Sequence, residues 1–138
     1  MVSFTHDDFL MFQEPDLVYW LSTIAEKEGY SLDQLEYNFV DAEALLSLNQ
    51  KYLNHDTDTD IITFDYTETK GIQAEAFISC PALLQNAKLN GQTAENEVLR
   101  LLSHALLHCM GYNDKTAEQK EVMRLKEEEC INLFHVKH

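Results

Sequence analysis

The sequence has little of what marks secreted, fibrous or membrane-spanning chains. Three cysteines occur in 138 residues, at Cys80, Cys109 and Cys130, and their odd number and wide spacing exclude a disulfide framework. Four glycines and two prolines exclude collagen-like and proline-rich chains. The N-terminus has neither a basic segment nor an apolar run, and the apolar-rich residues 98–110 are too short and polar to cross a bilayer. These absences predict reduced thiols in a cytoplasmic protein with no membrane partner.

Basic residues are also scarce. Ten Lys and Arg stand against 24 Asp and Glu, a net charge of −14, which argues against DNA or nonspecific nucleic-acid binding through phosphate neutralisation. The imbalance is uneven, because residues 1–70 carry a net charge of −12 and residues 71–138 only −2. An anionic ligand is therefore better tolerated by the second half.

Hydrophobic periodicity predicts four strands and five helices in the order β-α-β-α-β-β-α-α-α. The strands are expected over residues 2–5, 35–40, 61–66 and 72–79, and the helices over 15–28, 41–53, 81–90, 93–110 and 116–136. Thr116 and Gln119 form a capping-box pattern at the last helix. Length and order predict an α+β fold: a single domain over residues 1–138, with one mixed four-stranded sheet packed by about five helices.

The strongest chemical pattern is HALLHCMGYND, residues 104–114. His104 and His108 lie four residues apart on a predicted helix, so their imidazoles project from one face and can converge on one cation. Gly111 permits the left-handed turn that ends a helix, after which Asp114 can return toward the histidines. Two imidazoles and a carboxylate leave a fourth position for water, the arrangement typical of catalytic metal sites.

These residues also fit other interpretations, which the sequence separates. A histidine pair at this spacing is also typical of two partly exposed polar side chains. The HExxH zinc peptidases need a glutamate after the first histidine, where this chain has Ala105. The aspartates of residues 56–60 imitate a calcium loop, but its required glycine and glutamate are Ile61 and Thr67 here. That segment is instead expected to be a solvated polar loop.

Three segments together resemble the YbeY family of bacterial rRNA-maturation proteins. HALLHCMGYND is similar to the family signature HGxLHLxGYDH. LNQKYLNHDTDTDIITFDY, residues 48–66, resembles the LNxxYRxxDxxTDVLSFP segment, and IQAEAFIS, residues 72–79, resembles the GDIxIS strand. The resemblance implies an α+β domain with a zincin-like metal site on a helix. It also implies a metal-dependent endoribonuclease that cuts single-stranded RNA in small-subunit rRNA maturation and ribosome quality control.

The resemblance assigns His104 and His108 as metal ligands, while Asp114 stands where the family has a third histidine. It implies one Zn²⁺ per chain, and the harder carboxylate makes Mn, Ni or Fe alternatives. The family arginine after the tyrosine of LNxxYR, a natural phosphate contact, is Leu53 here. The aspartate of GDIxIS is Glu75.

The candidate catalytic residues are Arg100, His55 and Glu75. Arg100 lies one turn before His104 and is a candidate phosphate contact, with an ion pair to Glu97 or Glu95 as the alternative. His55 is a second cationic candidate. Glu75 and Asp56 are both open as the general base. The acidic first half suggests that RNA is recruited through the ribosome or ribosomal proteins.

Two other functions stay open from the sequence. The absence of the family arginine at Leu53 favours a metal-stabilised ribosome-assembly or interaction factor with weak or no nuclease activity. A 2-His-1-carboxylate iron oxygenase shares the ligand set but is usually built on an all-β framework.

Overall fold

The computed structural model of the chain describes residues 1–53 and 60–137. Its strands are β1 (Val2–Thr5), β2 (Ser31–Val40), β3 (Ile61–Asp65) and β4 (Gly71–Ser79), and its helices are α1 (Glu14–Lys27), α2 (Ala42–Leu48), α3 (Cys80–Leu89), α4 (Ala94–Cys109) and α5 (Ala117–Lys137). The predicted element order is confirmed. The described part of the chain contains no helix that is long and apolar enough to cross a membrane.

Two elements differ from the sequence prediction. β2 begins at Ser31 instead of residue 35, because its polar first residues pair with β4 from Ser31 opposite Gly71 onward. The absence of a side chain at Gly71 leaves room for Asp33, whose carboxylate a Cβ at position 71 would meet. The helix predicted over residues 41–53 is divided into α2 and a π-helical turn, Asn49–Leu53. The predicted polar loop over residues 54–60 lies outside the described residues except at Asp60.

The four strands form one mixed sheet in the order β1-β2-β4-β3. β1 and β2 are parallel, as are β2 and β4, and β3 runs antiparallel to β4 at the edge. Strand alternation gives β2 and β4 one apolar face, on which the buried residues are Leu35, Tyr37, Phe39, Ile72, Ala74, Ala76 and Ile78. This face belongs to the same core as the apolar residues of α1, α4 and α5.

Buried hydrogen bonds hold the helices in this core. The Tyr37 hydroxyl on β2 donates to the Leu102 carbonyl on α4 at 2.7 Å. The Trp20 indole N–H on α1 donates to the Cys130 carbonyl on α5, also at 2.7 Å. Each satisfies a polar group that burial would otherwise leave without a partner, so these bonds hold α4 to the sheet and α5 to α1.

Candidate metal centre

Helix α4 carries both histidines of the predicted site. It begins after Thr93, whose hydroxyl accepts the Asn96 backbone N–H at 3.0 Å, a standard N-cap. Most of its residues are buried, and its polar surface is a narrow strip. On this strip His104 is partly buried and His108 is exposed.

The turn after α4 returns the chain toward His104. Gly111 has a φ of +100°, the left-handed conformation expected of a glycine that ends a helix. Tyr112 N–H then donates back to the Leu107 carbonyl at 3.1 Å, which closes the turn. Asp114 follows, and its Oδ2 lies 3.4 Å from His104 Nε2.

This separation suits two ligands of one metal ion. Ligand atoms about 2.0–2.2 Å from a tetrahedral zinc lie roughly 3.3–3.6 Å apart. His104 Nε2 and Asp114 Oδ2, 3.4 Å apart, therefore fit the donor set of a zinc site. The side chain of Asp114 is about half exposed, so the pair is accessible from solvent.

His108 is not joined to this pair. Its exposed imidazole has no hydrogen bond or ion pair with the residues described, and it lies one turn beyond His104 on α4. Within residues 1–53 and 60–137, no three His, Cys, Asp or Glu side chains gather into a set that could hold a metal. Burial, and secondarily Asp65, raises the pKa of the Cys109 thiol to about 12, so this neighbour of His108 is a neutral thiol in the metal-free protein.

The other nitrogen of His104 contacts a carboxylate that the sequence reasoning missed. His104 Nδ1 lies 2.6 Å from Oε2 of Glu127 on α5. Glu127 is only 4% exposed. A signal for it exists, because Glu127 interrupts the buried stripe of α5 between Met123 and Cys130, where an apolar residue is expected.

Arg100 lies at the centre of a group of carboxylates. Its guanidinium contacts Glu97 at 2.7 and 3.0 Å, Asp60 at 3.3 Å and Glu127 at 3.6 Å. Burial lowers the pKa of Arg100, but the hydrogen bond to Glu97 and the surrounding carboxylates outweigh it and raise the pKa above its ordinary value. The ion pair with Glu97 that the sequence left open is therefore formed, and a phosphate contact by Arg100 stays a prediction.

Among the described residues, the remaining candidate Glu75 does not lie beside His104. Glu75 lies on β4 between the buried Ala74 and Ala76, so alternation places it on the opposite face of the sheet from the core that contains α4. Its Oε1 accepts the Tyr66 hydroxyl at 3.2 Å. His55 and Asp56 lie outside the described residues.

Comparison with known proteins gives consistent matches along the chain. The model of a family described as Endoribonuclease YbeY matches residues 10–135. A curated Endoribonuclease YbeY from Cytophaga hutchinsonii is 47% identical over 122 residues, 88% of this chain and 85% of the relative. One from Flavobacterium psychrophilum is 39% identical over 138 residues, 99% of each chain. The solution structure of TM1509 from Thermotoga maritima has a TM-score of 0.68 at 22% identity and covers 99% of this chain and 91% of that one, so it shares the fold.

Proposed function

The chain belongs to the endoribonuclease YbeY family, and we propose that it is a metal-dependent endoribonuclease that cuts single-stranded RNA during small-subunit rRNA maturation and ribosome quality control. The observation that carries the proposal is the pairing of His104 Nε2 with Asp114 Oδ2 at 3.4 Å on the family signature. Relatives named Endoribonuclease YbeY match nearly the full length. We also propose that residues 1–138 form one domain that acts in the cytoplasm.

We assign His104, His108 and Asp114 as the ligands of one Zn²⁺ per chain, with Mn, Ni or Fe as alternatives because the third ligand is a carboxylate. A bound divalent cation supplies Lewis acidity, which polarises a phosphoryl oxygen and lowers the pKa of a coordinated water. His104 and Asp114 are already at a suitable separation. His108 must turn toward them, and its exposure leaves its side chain free to change rotamer.

The substrate is expected to approach from the exposed side of this pair. Glu127 covers the Nδ1 side of His104 from α5, while Asp114 is about half exposed. The low net charge of residues 71–138 favours this region for a polyanion, and the acidic residues 1–70 favour recruitment of rRNA through basic ribosomal proteins. Arg100 and His55 are the cationic candidates for a phosphate contact, whereas the candidate base Glu75 lies on the sheet face opposite α4.

Cleavage of one labelled single-stranded RNA tests the proposal. We would compare the native protein with Leu53→Arg, Arg100→Ala and His55→Ala at two salt concentrations, with zinc, manganese or nickel supplied. Restoring a guanidinium at position 53 is expected to raise turnover severalfold, and less so at high salt, because a phosphate contact is screened. If Arg100 or His55 already makes that contact, its alanine variant loses activity and Leu53→Arg changes little.

Two controls make this result interpretable. Arg100→Ala leaves Glu97 without its cation, so its melting temperature must be measured, and Arg100→Lys retains the charge without the planar guanidinium. A duplex RNA of the same sequence tests strand specificity. If no protein cleaves RNA with any of the three metals, the chain is a ribosome-assembly or interaction factor instead of a nuclease.

A further inference from the structure

Glu127 is a buried carboxylate to which neither the signature motif nor the proposed ligand set gives a role. It lies on α5 in line with Met123, Cys130 and Phe134, all of which are buried and apolar. An ionised carboxylate at such a position is unfavourable unless it is paired and hydrogen-bonded. The role of Glu127 can therefore be inferred from the partners of its two carboxylate oxygens.

The two oxygens of Glu127 face two different partners. Oε2 lies 2.6 Å from His104 Nδ1, and Oε1 lies 3.6 Å from Arg100 Nη1. The guanidinium is always a donor, so it attracts the carboxylate as an anion. A carboxylate is an acceptor only, so at 2.6 Å the proton of this contact belongs to Nδ1.

We propose that Glu127 is a positioning residue, which accepts the Nδ1 proton of His104 and thereby holds the imidazole with Nε2 directed at Asp114. The inference rests on the proposed metal site, since Nε2 is the atom offered to the cation. With the proton held on Nδ1, Nε2 keeps its lone pair for coordination. Such carboxylate–histidine pairs fix the tautomer and ring orientation of metal ligands in general.

Replacing Glu127 with glutamine reverses this arrangement. The amide has one acceptor and one donor group, and Arg100 attracts the acceptor oxygen. The amide N–H₂ then faces His104 Nδ1, which must become an acceptor, so the imidazole proton moves to Nε2. The substitution is nearly isosteric but places a proton on the atom that faces Asp114.

Two glutamates provide matched controls. Glu97→Gln removes a carboxylate from the same Arg100 without touching His104, so it reproduces any effect that acts through the ion-pair group. Glu129→Gln removes a charge from the same helix two residues away, at an exposed position whose only ion pair in the described chain is with Lys126, at 3.9 Å.

The experiment measures two quantities for the native protein and the three variants. Zinc affinity is obtained by competition with a chromophoric chelator. The protonation of both His104 nitrogens is read from ¹⁵N–¹H correlation spectra of the metal-free proteins. Glu127→Gln is expected to weaken zinc binding by about 10- to 100-fold and to remove the Nδ1 proton of His104. Both controls are expected to bind zinc within about threefold of the native protein and to keep that proton.

Several results would overturn the inference. These are an unprotonated Nδ1 in the native protein, unchanged zinc affinity in Glu127→Gln, or an equal loss in Glu97→Gln. The native spectrum is informative even if Glu127→Gln does not fold. If the native protein binds none of zinc, manganese, nickel and iron, the proposed metal-dependent function fails, and the protonation of His104 alone then decides whether Glu127 holds the ring.

Discussion

The polar side chains at the two ends of the strip on α4 differ in how many hydrogen bonds and ion pairs they form with the rest of the protein. The buried half of the site is closed by α5 and interconnected by ion pairs, and it consists of Asp60, Glu97, Arg100, His104 and Glu127. The open half consists of His108 and Asp114. Within residues 1–53 and 60–137, His108 has no side-chain partner, and Asp114 contacts His104 alone, at 3.4 Å.

The two halves therefore have different roles: one holds a ligand side chain in position, and the other is open to an incoming ligand. The buried half fixes one imidazole before any ligand arrives, because Glu127 contacts both His104 Nδ1 and the Arg100 guanidinium, which also pairs with Glu97 and Asp60. The open half is exposed to solvent, where a cation or a phosphate can approach. His104 belongs to the buried half but contacts Asp114, so it is the point at which the two meet.

The largest expected effect comes from removing either histidine. His104→Ala and His108→Ala should both abolish stoichiometric metal, because two ligands would remain of three. Only His104→Ala should also destabilise the metal-free protein, by about 1–3 kcal/mol, since Glu127 loses a buried hydrogen bond. His108→Ala should change stability by less than about 0.5 kcal/mol.

Elemental analysis and chemical denaturation check this pair of variants. His135→Ala, on α5 beside Asn96, is the control for losing a histidine outside the site. Equal stability losses at positions 104 and 108 would break the distinction between the two halves. Unchanged metal content in either variant would mean that the ligands are misassigned.

Substitutions of Asp114 test the open half of the site. Asp114→Ala should weaken zinc binding by at least about tenfold, roughly 1.4 kcal/mol, with little effect on folding because the side chain is half exposed. Asp114→His should retain the site, since it restores the three histidines of the family signature. Calorimetric titration with zinc measures both, with the exposed Glu118→Ala as control. If Asp114→Ala binds zinc as tightly as the native protein, Asp114 is an ordinary surface residue.

The smallest expected effect is a pH dependence of protein stability that arises from Cys130, a buried residue of α5. Burial, chiefly, raises the pKa of the Cys130 thiol to about 12 from an ordinary value of 9.0. A folded-state pKa above the unfolded one means that stability is complete below pH 9 and falls as the pH rises toward 12. This thiol should contribute a loss of about 1.4 kcal/mol per pH unit in that range.

Urea denaturation of the native protein and Cys130→Ala at pH 8, 9 and 10 isolates this contribution. The cavity left by alanine costs the same at each pH, so it cancels in the comparison. The native protein should lose about 1 kcal/mol more than Cys130→Ala between pH 9 and 10. Parallel declines would show that the Cys130 thiol ionises as readily in the folded protein as in the unfolded chain.

Much of the fold followed from local rules. The capping box of α5 is formed as predicted, with Gln119 N–H donating to Thr116 Oγ1 and Thr116 N–H donating to Gln119 Oε1, both at 3.1 Å. Such contacts join residues a few positions apart, so they can be read from spacing. The extension of β2 to Ser31 was missed because polar residues there are held by backbone pairing with β4, which leaves no hydrophobic pattern.

The sequence by itself determined the order of the elements, the helix that carries His104 and His108, and the glycine turn that returns Asp114. All of these depend on contacts within about ten residues. Only the tertiary structure decided that Glu127, 23 residues from His104, contacts its Nδ1, and that Asp60, 40 residues from Arg100, joins the ion-pair group. Those contacts require α5 and the start of β3 to pack beside α4. In the sequence, this packing is indicated only by Glu127, a glutamate within the apolar stripe of α5.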